Sequence, residues 1–247
     1  MTDVFEQHGI EHLSHSSIDC FRNEPGLWLM RYLLKHREGT NAAMSRGHAA
    51  ELGIYTAIMT DSNGHDEAES EFLKLTALGV EGVSREKERA NLAAYVDNGV
   101  AALKEAGLSE VTDYQEKISI DLEGVKVPII GFTDITFEGS VVDVKSTGRL
   151  PSAISPAHRR QGSIYQKAKG NHAIQFLYTT PKKYGFYTLE DSEQDLNEVH
   201  NTALCIQRFL GISKDPMELV QFIAPNFDHF YWNNPSTRAK AKEIWGY

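Results

Sequence analysis

The sequence predicts an α/β protein in which helices flank a central mixed β-sheet. Apolar residues recur at helical spacing through about the first 110 residues, and apolar and polar residues alternate from Tyr114 onward. With 247 residues, 41% of them hydrophobic and 24% charged, the chain can bury a sizeable core. We expect a single domain over residues 1–247, with a helical part at 1–110, a sheet-containing core at 111–190 and C-terminal helices at 191–247.

Helix starts are recognisable in the first half of the chain. Ser16 and Asp19 have the spacing of a capping box, and Pro25-Gly26 can divide the helix that follows. The acidic, glycine-containing residues 61–66 predict an exposed loop. Two longer helices are predicted, over Asn41 to Met59 and over Ser84 to Glu105.

An antiparallel meander of three strands is predicted next, because glycine-containing turns interrupt the alternation twice. The strands are predicted at Tyr114 to Leu122, Val125 to Phe137 and Val141 to Ser146. The remaining predicted elements are a helix over Pro156 to Lys169, strands over Ala173 to Thr179 and Tyr184 to Leu189, a long helix over 192–213 and a short helix after Pro235.

The triplet Asp143-Val144-Lys145, nine residues after Asp134, is the clearest chemical signal. Two carboxylates on neighbouring strands can share a divalent cation such as Mg²⁺, which prefers oxygen ligands. Because side chains alternate along a strand, Lys145 lies on the same face as Asp143. There it can orient or deprotonate an attacking water, or offset charge on a phosphate. The pattern predicts a metal-dependent phosphodiesterase site.

An acid-x-Lys triplet on an exposed strand is more commonly a solvated ion pair. Two observations favour a site here. This is the only such triplet in the 247 residues, and valines flank Asp143 in a segment that is typical of a buried strand. A buried carboxylate without a partner is costly, which favours a metal ion or a paired lysine.

The net charge of −9 disfavours a general nucleic-acid coat protein, but the charges are unevenly distributed. No acid occurs from Val144 to Leu189, which predicts a basic face that begins at the metal motif and forms a DNA track. A basic surface without a ligand is the alternative. The basic residues of this segment are Lys145, Arg149, Arg159, Arg160, Lys167, Lys169, Lys182 and Lys183.

Cys20 and Cys205 permit at most one disulfide and cannot form a four-cysteine zinc or iron–sulfur site. We expect both to be buried, reduced thiols. No stretch approaches the ~20 apolar residues that cross a bilayer, and the first residues lack the features of a signal peptide. We expect no membrane association and a cytoplasmic location, in the host cell if the protein is viral.

Several motifs occur in a characteristic order. They are Ser14 to Phe21, Gly47-His48-Ala49-Ala50-Glu51, Gly131-Phe132-Thr133-Asp134, Val142 to Thr147, and Gln161-Gly162-Ser163-Ile164-Tyr165. On these motifs the chain resembles the RecB-like branch of the PD-(D/E)XK nuclease superfamily, from Leu13 to about Leu189. The resemblance implies a restriction-endonuclease-like core with an N-terminal helical region.

The resemblance also implies roles for individual residues. The metal ligands would be His48, Asp134, Asp143 and the backbone carbonyl of Val144, a set suited to Mg²⁺ or Mn²⁺. Asp134, Asp143 and Lys145 would be catalytic. Gln161 and Tyr165 would present an amide and a ring to DNA, with Tyr165 available for stacking. Taken singly, His48 is more typical of a histidine in the core than of a metal ligand. Gln161 and Tyr165, taken singly, are typical of exposed residues on a helix that packs Ile164 inward. Surface or supporting roles are expected for Glu51 and Glu116.

The implied activity is that of a DNA exonuclease in recombination, repair or viral (phage) genome processing. A structure-specific or sequence-specific endonuclease and a non-catalytic DNA-binding or assembly subunit are the alternatives, and RNA is not excluded as a substrate. The three cysteines that follow the core in iron–sulfur relatives are not matched, so no cluster is expected. The chain contains no ATP-binding P-loop. The partners considered are DNA, a helicase, a single-strand-annealing protein and further copies of this chain.

Overall fold

The structure is a computed structural model that describes residues 3–36, 39, 41–77 and 83–247. Its α-helices are α1 (Val4–Gln7), α2 (His15–Asn23), α3 (Pro25–Trp28), α4 (Ala42–Thr60), α5 (His65–Leu75), α6 (Val83–Glu105), α7 (Pro156–Lys169), α8 (Glu193–Leu210), α9 (Pro216–Val220) and α10 (Pro235–Trp245). A π-helical turn, Leu29–Leu33, continues α3, and a 3₁₀ turn spans Phe230–Trp232. The strands are β1 (Val111–Tyr114), β2 (Lys117–Ile120), β3 (Ile129–Phe132), β4 (Ile135–Phe137), β5 (Ser140–Ser146), β6 (Ala173–Thr179) and β7 (Tyr184–Thr188).

The described chain falls into two compact units. One comprises Met1–Glu38, Ser119–Gly131 and Glu193–Tyr247, and the other comprises Gly39–Ile118 and Phe132–Ser192. Within the described residues, no helix has both the length and the apolar character that crossing a membrane requires.

The first unit is mainly helical and contains both cysteines. Ser14 caps α2 by accepting a hydrogen bond from the backbone N–H of Ser17, so the capping residue lies two positions before the predicted Ser16. Cys20 and Cys205 are free thiols, but Cys205 is exposed, which corrects the expectation that both are buried. Burial raises the pKa of the Cys20 thiol to about 11, which keeps it protonated and unreactive at neutral pH.

The second unit is built on a five-stranded mixed sheet in the order β1-β4-β5-β6-β7. Neighbouring strands are antiparallel except β5 and β6, which are parallel and pair from Ser140 with Ala173 to Ser146 with Thr179. The parallel pair requires a crossover, and α7 provides it. Apolar residues of α4, α5 and α6 pack with Val142, Val144 and Leu177 on one face of the sheet. The predicted α/β fold with a central mixed sheet flanked by helices is therefore confirmed.

The predicted meander is present but interrupted by an inserted strand pair. β1, β4 and β5 are consecutive in the sheet, whereas β2 and β3 form a separate two-stranded sheet. The strand predicted over Tyr114 to Leu122 is broken because Gln115 has a left-handed backbone conformation, with a φ of 49°. The strand predicted over Val125 to Phe137 is broken between β3 and β4, and Asp134 lies in that break.

Helix α5 was not predicted, because the acidic stretch at its start was interpreted as a loop. Asp66 and Glu67 lie in its first turn, where acidic side chains are stabilised by the helix dipole. Close packing of α5 on α4 leaves no space for a side chain at Gly53, since an added Cβ would lie 2.8 Å from the Cβ of Ala68. The prediction of α7 over Pro156 to Lys169 and that of β6 over Ala173 to Thr179 are correct to the residue.

Candidate active site

Strand β5 carries the centre of the site. Val142 and Val144 enter the core that α4 and α6 cover, so the alternate residues Asp143 and Lys145 share the opposite face. Asp143 is fully buried. Its Oδ2 lies 2.5 Å from Lys145 Nζ, and its Oδ1 accepts a hydrogen bond of 3.3 Å from the hydroxyl of Tyr165. Asp143 and Lys145 therefore form an ion pair. The side chain of Lys145 is still 24% exposed to solvent.

Asp134 is held beside Val144, the residue between Asp143 and Lys145, from a position outside the strands. It lies in the link between β3 and β4, and its Oδ2 accepts a hydrogen bond of 2.7 Å from the backbone N–H of Val144. This bond ties its carboxylate to the residue between Asp143 and Lys145.

Glu51, on α4, is a third carboxylate of this cluster. It is buried, with 7% of its surface exposed, and its Oε1 accepts a hydrogen bond of 3.1 Å from Gln115 Nε2. Burial raises the pKa of Glu51, the hydrogen bond from Gln115 lowers it, and the charge of Asp143 raises it further. Of the two roles expected for Glu51, its burial contradicts the surface role and agrees with the supporting one. The other weak candidate, Glu116, forms an ion pair of 2.6 Å with Lys169.

The pKa shifts of Asp134 and Lys145 reflect the negative charge that surrounds both side chains. Burial, followed by the charges of Asp143 and Glu51, raises the pKa of Asp134 well above its ordinary value, against the opposing effect of Lys145. For Lys145, burial lowers the pKa, but Asp143 and Asp134 outweigh it and the net shift is upward. The site therefore holds three carboxyl groups around one ammonium that stays charged.

His48 lies on α4 one turn before Glu51, and its side chain is exposed. Its charge acts on Glu51 and opposes the rise in that pKa. Across the described ranges, no three His, Cys, Asp or Glu side chains stand together in the arrangement of a ready metal site. The structure thus places His48 beside the carboxylate cluster without joining it to Asp134 and Asp143 as a formed ligand set.

Helix α7 supports the cluster on the sheet face that carries Asp143. Tyr165 is buried, and its one hydroxyl proton is shared between the carbonyl of Phe132 at 2.7 Å and Oδ1 of Asp143 at 3.3 Å. Gln161 Nε2 donates to the same hydroxyl at 2.7 Å. With only 3% of Tyr165 exposed, its ring has no free face for a base, so the predicted stacking role is corrected to one of holding Asp143.

The basic segment is less uniformly exposed than its sequence suggests. Arg160 is buried, and the guanidinium of Arg159 donates to the carbonyls of Glu190 and Asp191 at 3.2 and 2.7 Å. Both arginines thus have structural contacts, which corrects their assignment as simple DNA contacts. The exposed basic residues of the segment are Arg149, Lys167, Lys182 and Lys183.

Two supporting features were not recognised in the sequence. Gln115 reaches Glu51 only because of its left-handed backbone, and no sequence pattern marks that conformation in a glutamine. Arg46, buried on α4, donates to the carbonyl of Ser146 at 3.1 Å and pairs with Glu88 of α6. Its position one residue before the Gly47-His48 motif is the only available signal.

The residues present fit a hard divalent cation by their chemistry. Three carboxyl groups crowd one another, and the buried Oδ2 of Asp143 has no hydrogen bond of regular geometry although Lys145 lies beside it. Such oxygen donors suit Mg²⁺ or Mn²⁺, whose charge would relieve the repulsion that raises the pKa of Asp134.

Comparisons with known proteins were made at the level of sequence and of structure. No protein-family model matches the chain, and no curated protein matches its sequence. A crystal structure described as "Putative exonuclease" from Eubacterium rectale matches with a TM-score of 0.54 at 12% sequence identity, over 87% of this chain and 84% of that one. The structure of SSO0001 matches 75% of this chain and 88% of that chain at 12% identity, but its TM-score of 0.35 carries no argument. The chain therefore shares an α/β fold with the bacterial protein, and at this identity the likeness shows the fold alone.

Proposed function

We propose that the protein is a Mg²⁺- or Mn²⁺-dependent deoxyribonuclease, an exonuclease of the RecB-like branch of the PD-(D/E)XK superfamily. One observation carries the proposal: Glu51, Asp134 and Asp143 crowd around Lys145 on a mixed sheet whose fold matches that of the bacterial protein. The ordered sequence motifs support the same assignment.

Asp134, Asp143 and the carbonyl of Val144 would hold the cation, with His48 and Glu51 next to them. When bound, it supplies a Lewis acid that polarises the phosphate and lowers the pKa of a ligated water. Tyr165 and the backbone N–H of Val144 keep the two aspartates oriented. Precise orientation of this kind is what a preorganised site requires.

Lys145 acts through its positive charge. Because Asp143 and Asp134 raise its pKa, the ammonium stays protonated at neutral pH and is a poor general base. It can donate a hydrogen bond to the attacking water or to a phosphate oxygen, and it offsets the negative charge that develops there. Removing such a group costs about 10²-fold or more in rate.

End-labelled linear DNA and closed circular DNA, single and double stranded, test the proposal when incubated with Mg²⁺ or Mn²⁺. We expect the linear strands to shorten progressively while circles survive, with no activity in EDTA. Asp143→Asn should abolish cleavage, and Lys145→Ala should lose at least ~10²-fold in kcat. Met59→Ala, an exposed change three turns from His48, is the matched control.

Nicking of closed circles at discrete sites would move the assignment to an endonuclease with the same site. Tight DNA binding without turnover would favour a binding or assembly subunit. Full activity of Asp143→Asn with Mn²⁺ would place the chemistry elsewhere.

A further inference from the structure

Phe132 is an exposed aromatic residue beside the carboxylate cluster. It ends β3, two residues before Asp134, and 56% of its surface is exposed, whereas the next residue, Thr133, is fully buried. An isolated exposed apolar side chain is ordinary by itself. What distinguishes this one is its place, two residues before Asp134 in the chain and at the end of the strand that leads into the site.

The backbone on both sides of Phe132 is held by hydrogen bonds. Its carbonyl accepts a hydrogen bond of 2.7 Å from the hydroxyl of Tyr165, which also contacts Asp143. The following N–H, of Thr133, donates to the carbonyl of Glu116 at 3.0 Å. The ring is therefore presented to solvent from a rigid point, and one tyrosine joins that point to the buried aspartate.

We propose that Phe132 is a stacking platform for a base of the nucleic-acid strand that the site acts on. This inference rests on the proposed function. The carboxylate cluster and Lys145 would handle the phosphate, and a flat apolar ring next to them suits the face of an unpaired base. Because every base has such a face, the contact would tolerate any sequence, and it requires the strand to be single or frayed at the site.

A comparison of two strands of equal length tests the stacking directly. One is an oligothymidine, and the other has the same sugar–phosphate backbone with abasic positions throughout. Binding is measured by fluorescence anisotropy in EDTA, which prevents cleavage. Phe132→Ala should weaken binding of the oligothymidine about tenfold, the scale of one stacked base, and should leave binding of the abasic strand unchanged.

Phe132→Tyr should retain the wild-type preference for the strand with bases, and Phe132→Leu, which keeps apolar bulk without a ring, should behave as Phe132→Ala. Met59→Ala, equally exposed on α4 at 51%, should change neither affinity. Equal affinity of Phe132→Ala and wild type for the oligothymidine would overturn the proposal. So would an equal loss on both strands, since the ring would then act without a base.

The nuclease activity and the stacking role of Phe132 can be refuted independently. Wild-type protein that degrades DNA with Mn²⁺ but shows no Phe132 effect remains a nuclease without this platform. Wild-type protein that neither binds nor cleaves either strand refutes the nuclease assignment and the platform together.

Discussion

At the scale of single residues, the site is held in an electrostatically unfavourable arrangement. Asp143 is buried without a regular hydrogen bond at Oδ2, and Asp134 and Glu51 add further negative charge around it. Lys145 compensates only one of these charges. Residues with perturbed pKa values commonly cluster at functional sites. In a cation site the cause is that the carboxylates must face one another.

The raised pKa of Asp134 predicts how stability depends on pH. A carboxyl group whose pKa is raised on folding binds its proton more tightly in the folded state, so its contribution to stability is complete below its ordinary pKa. That contribution is lost as the pH rises through the raised value. Asp134→Asn removes the repulsion and keeps an acceptor for the N–H of Val144. In EDTA at pH 7 the variant should therefore melt at a higher temperature than wild type, by about 2–4 °C per kcal/mol relieved.

The difference between Asp134→Asn and wild type should disappear toward about pH 3, below the ordinary pKa of an aspartate, where the wild-type carboxyl is protonated in both states. Addition of Mn²⁺ should raise the melting temperature of wild type and have less effect on the variant, because binding stabilises only a protein that keeps its ligands. A variant less stable than wild type at neutral pH would show that Asp134 is not under repulsion.

At the scale of elements, Arg46 connects three of them. Its guanidinium donates to the carbonyl and the hydroxyl of Ser146 at the end of β5, and it pairs with Glu88 of α6. It also lies 4.5 Å over the ring of Tyr95, whose hydroxyl donates to the carbonyl of Thr147. Helix α4, which carries Glu51 and His48, is thereby tied to the end of the strand that carries Asp143 and Lys145.

Arg46→Ala should be strongly destabilising, since it leaves a largely buried carboxylate and the Ser146 carbonyl without their donor. We expect a loss of about 3 kcal/mol in the free energy of unfolding, measured by urea denaturation. Arg89→Ala breaks an exposed pair with Glu69 on the same unit and should cost less than about 1 kcal/mol.

Arg46→Lys keeps the charge but not the forked geometry, so it should recover part of the stability and little of the rate. In cleavage assays on the folded fraction, kcat should fall more than KM changes, because Ser146, the residue after Lys145, loses its hydrogen bonds to α4. Equal effects of Arg46→Ala and Arg89→Ala on stability would contradict this role.

At the scale of the whole molecule, the net charge of −9 means that the proposed DNA binding would require a local basic surface. The exposed Lys182 and Lys183 follow β6, the strand that pairs with β5 in parallel. They, rather than the buried Arg160, are the residues whose charge is available to phosphates.

Lys182→Ala with Lys183→Ala should weaken DNA binding and flatten its dependence on salt. Each lost phosphate contact changes the slope of log K against log salt by about 0.9 for duplex DNA and about 0.7 for a single strand. Lys104→Ala, an exposed lysine of α6 near Asp61, is the control and should leave the slope unchanged. A slope that is the same in the double variant would place the DNA on another surface.

Local patterns in the sequence were sufficient for most of the order of helices and strands in the core and for the neighbouring places of Asp143 and Lys145 on β5. Strand periodicity alone puts Asp143 and Lys145 on one face, and α7 and β6 begin and end at the residues that the sequence predicts. The separate β2–β3 pair and α5 were not predicted. Both elements depend on packing between segments that are distant in the sequence. The left-handed backbone of Gln115, which breaks the first predicted strand, was not predicted either.

The burial of polar residues around the site depends on contacts between distant parts of the chain. Glu51 and Asp134 are 83 residues apart in the chain, yet the charge of one raises the pKa of the other. Tyr165 and Arg160 resemble surface residues in the sequence, but packing of α7 on the sheet buries both. Side-chain type and periodicity are local properties, so the sequence is enough to name the candidate groups. Their burial, pairing and pKa values arise from long-range contacts, which no local pattern contains.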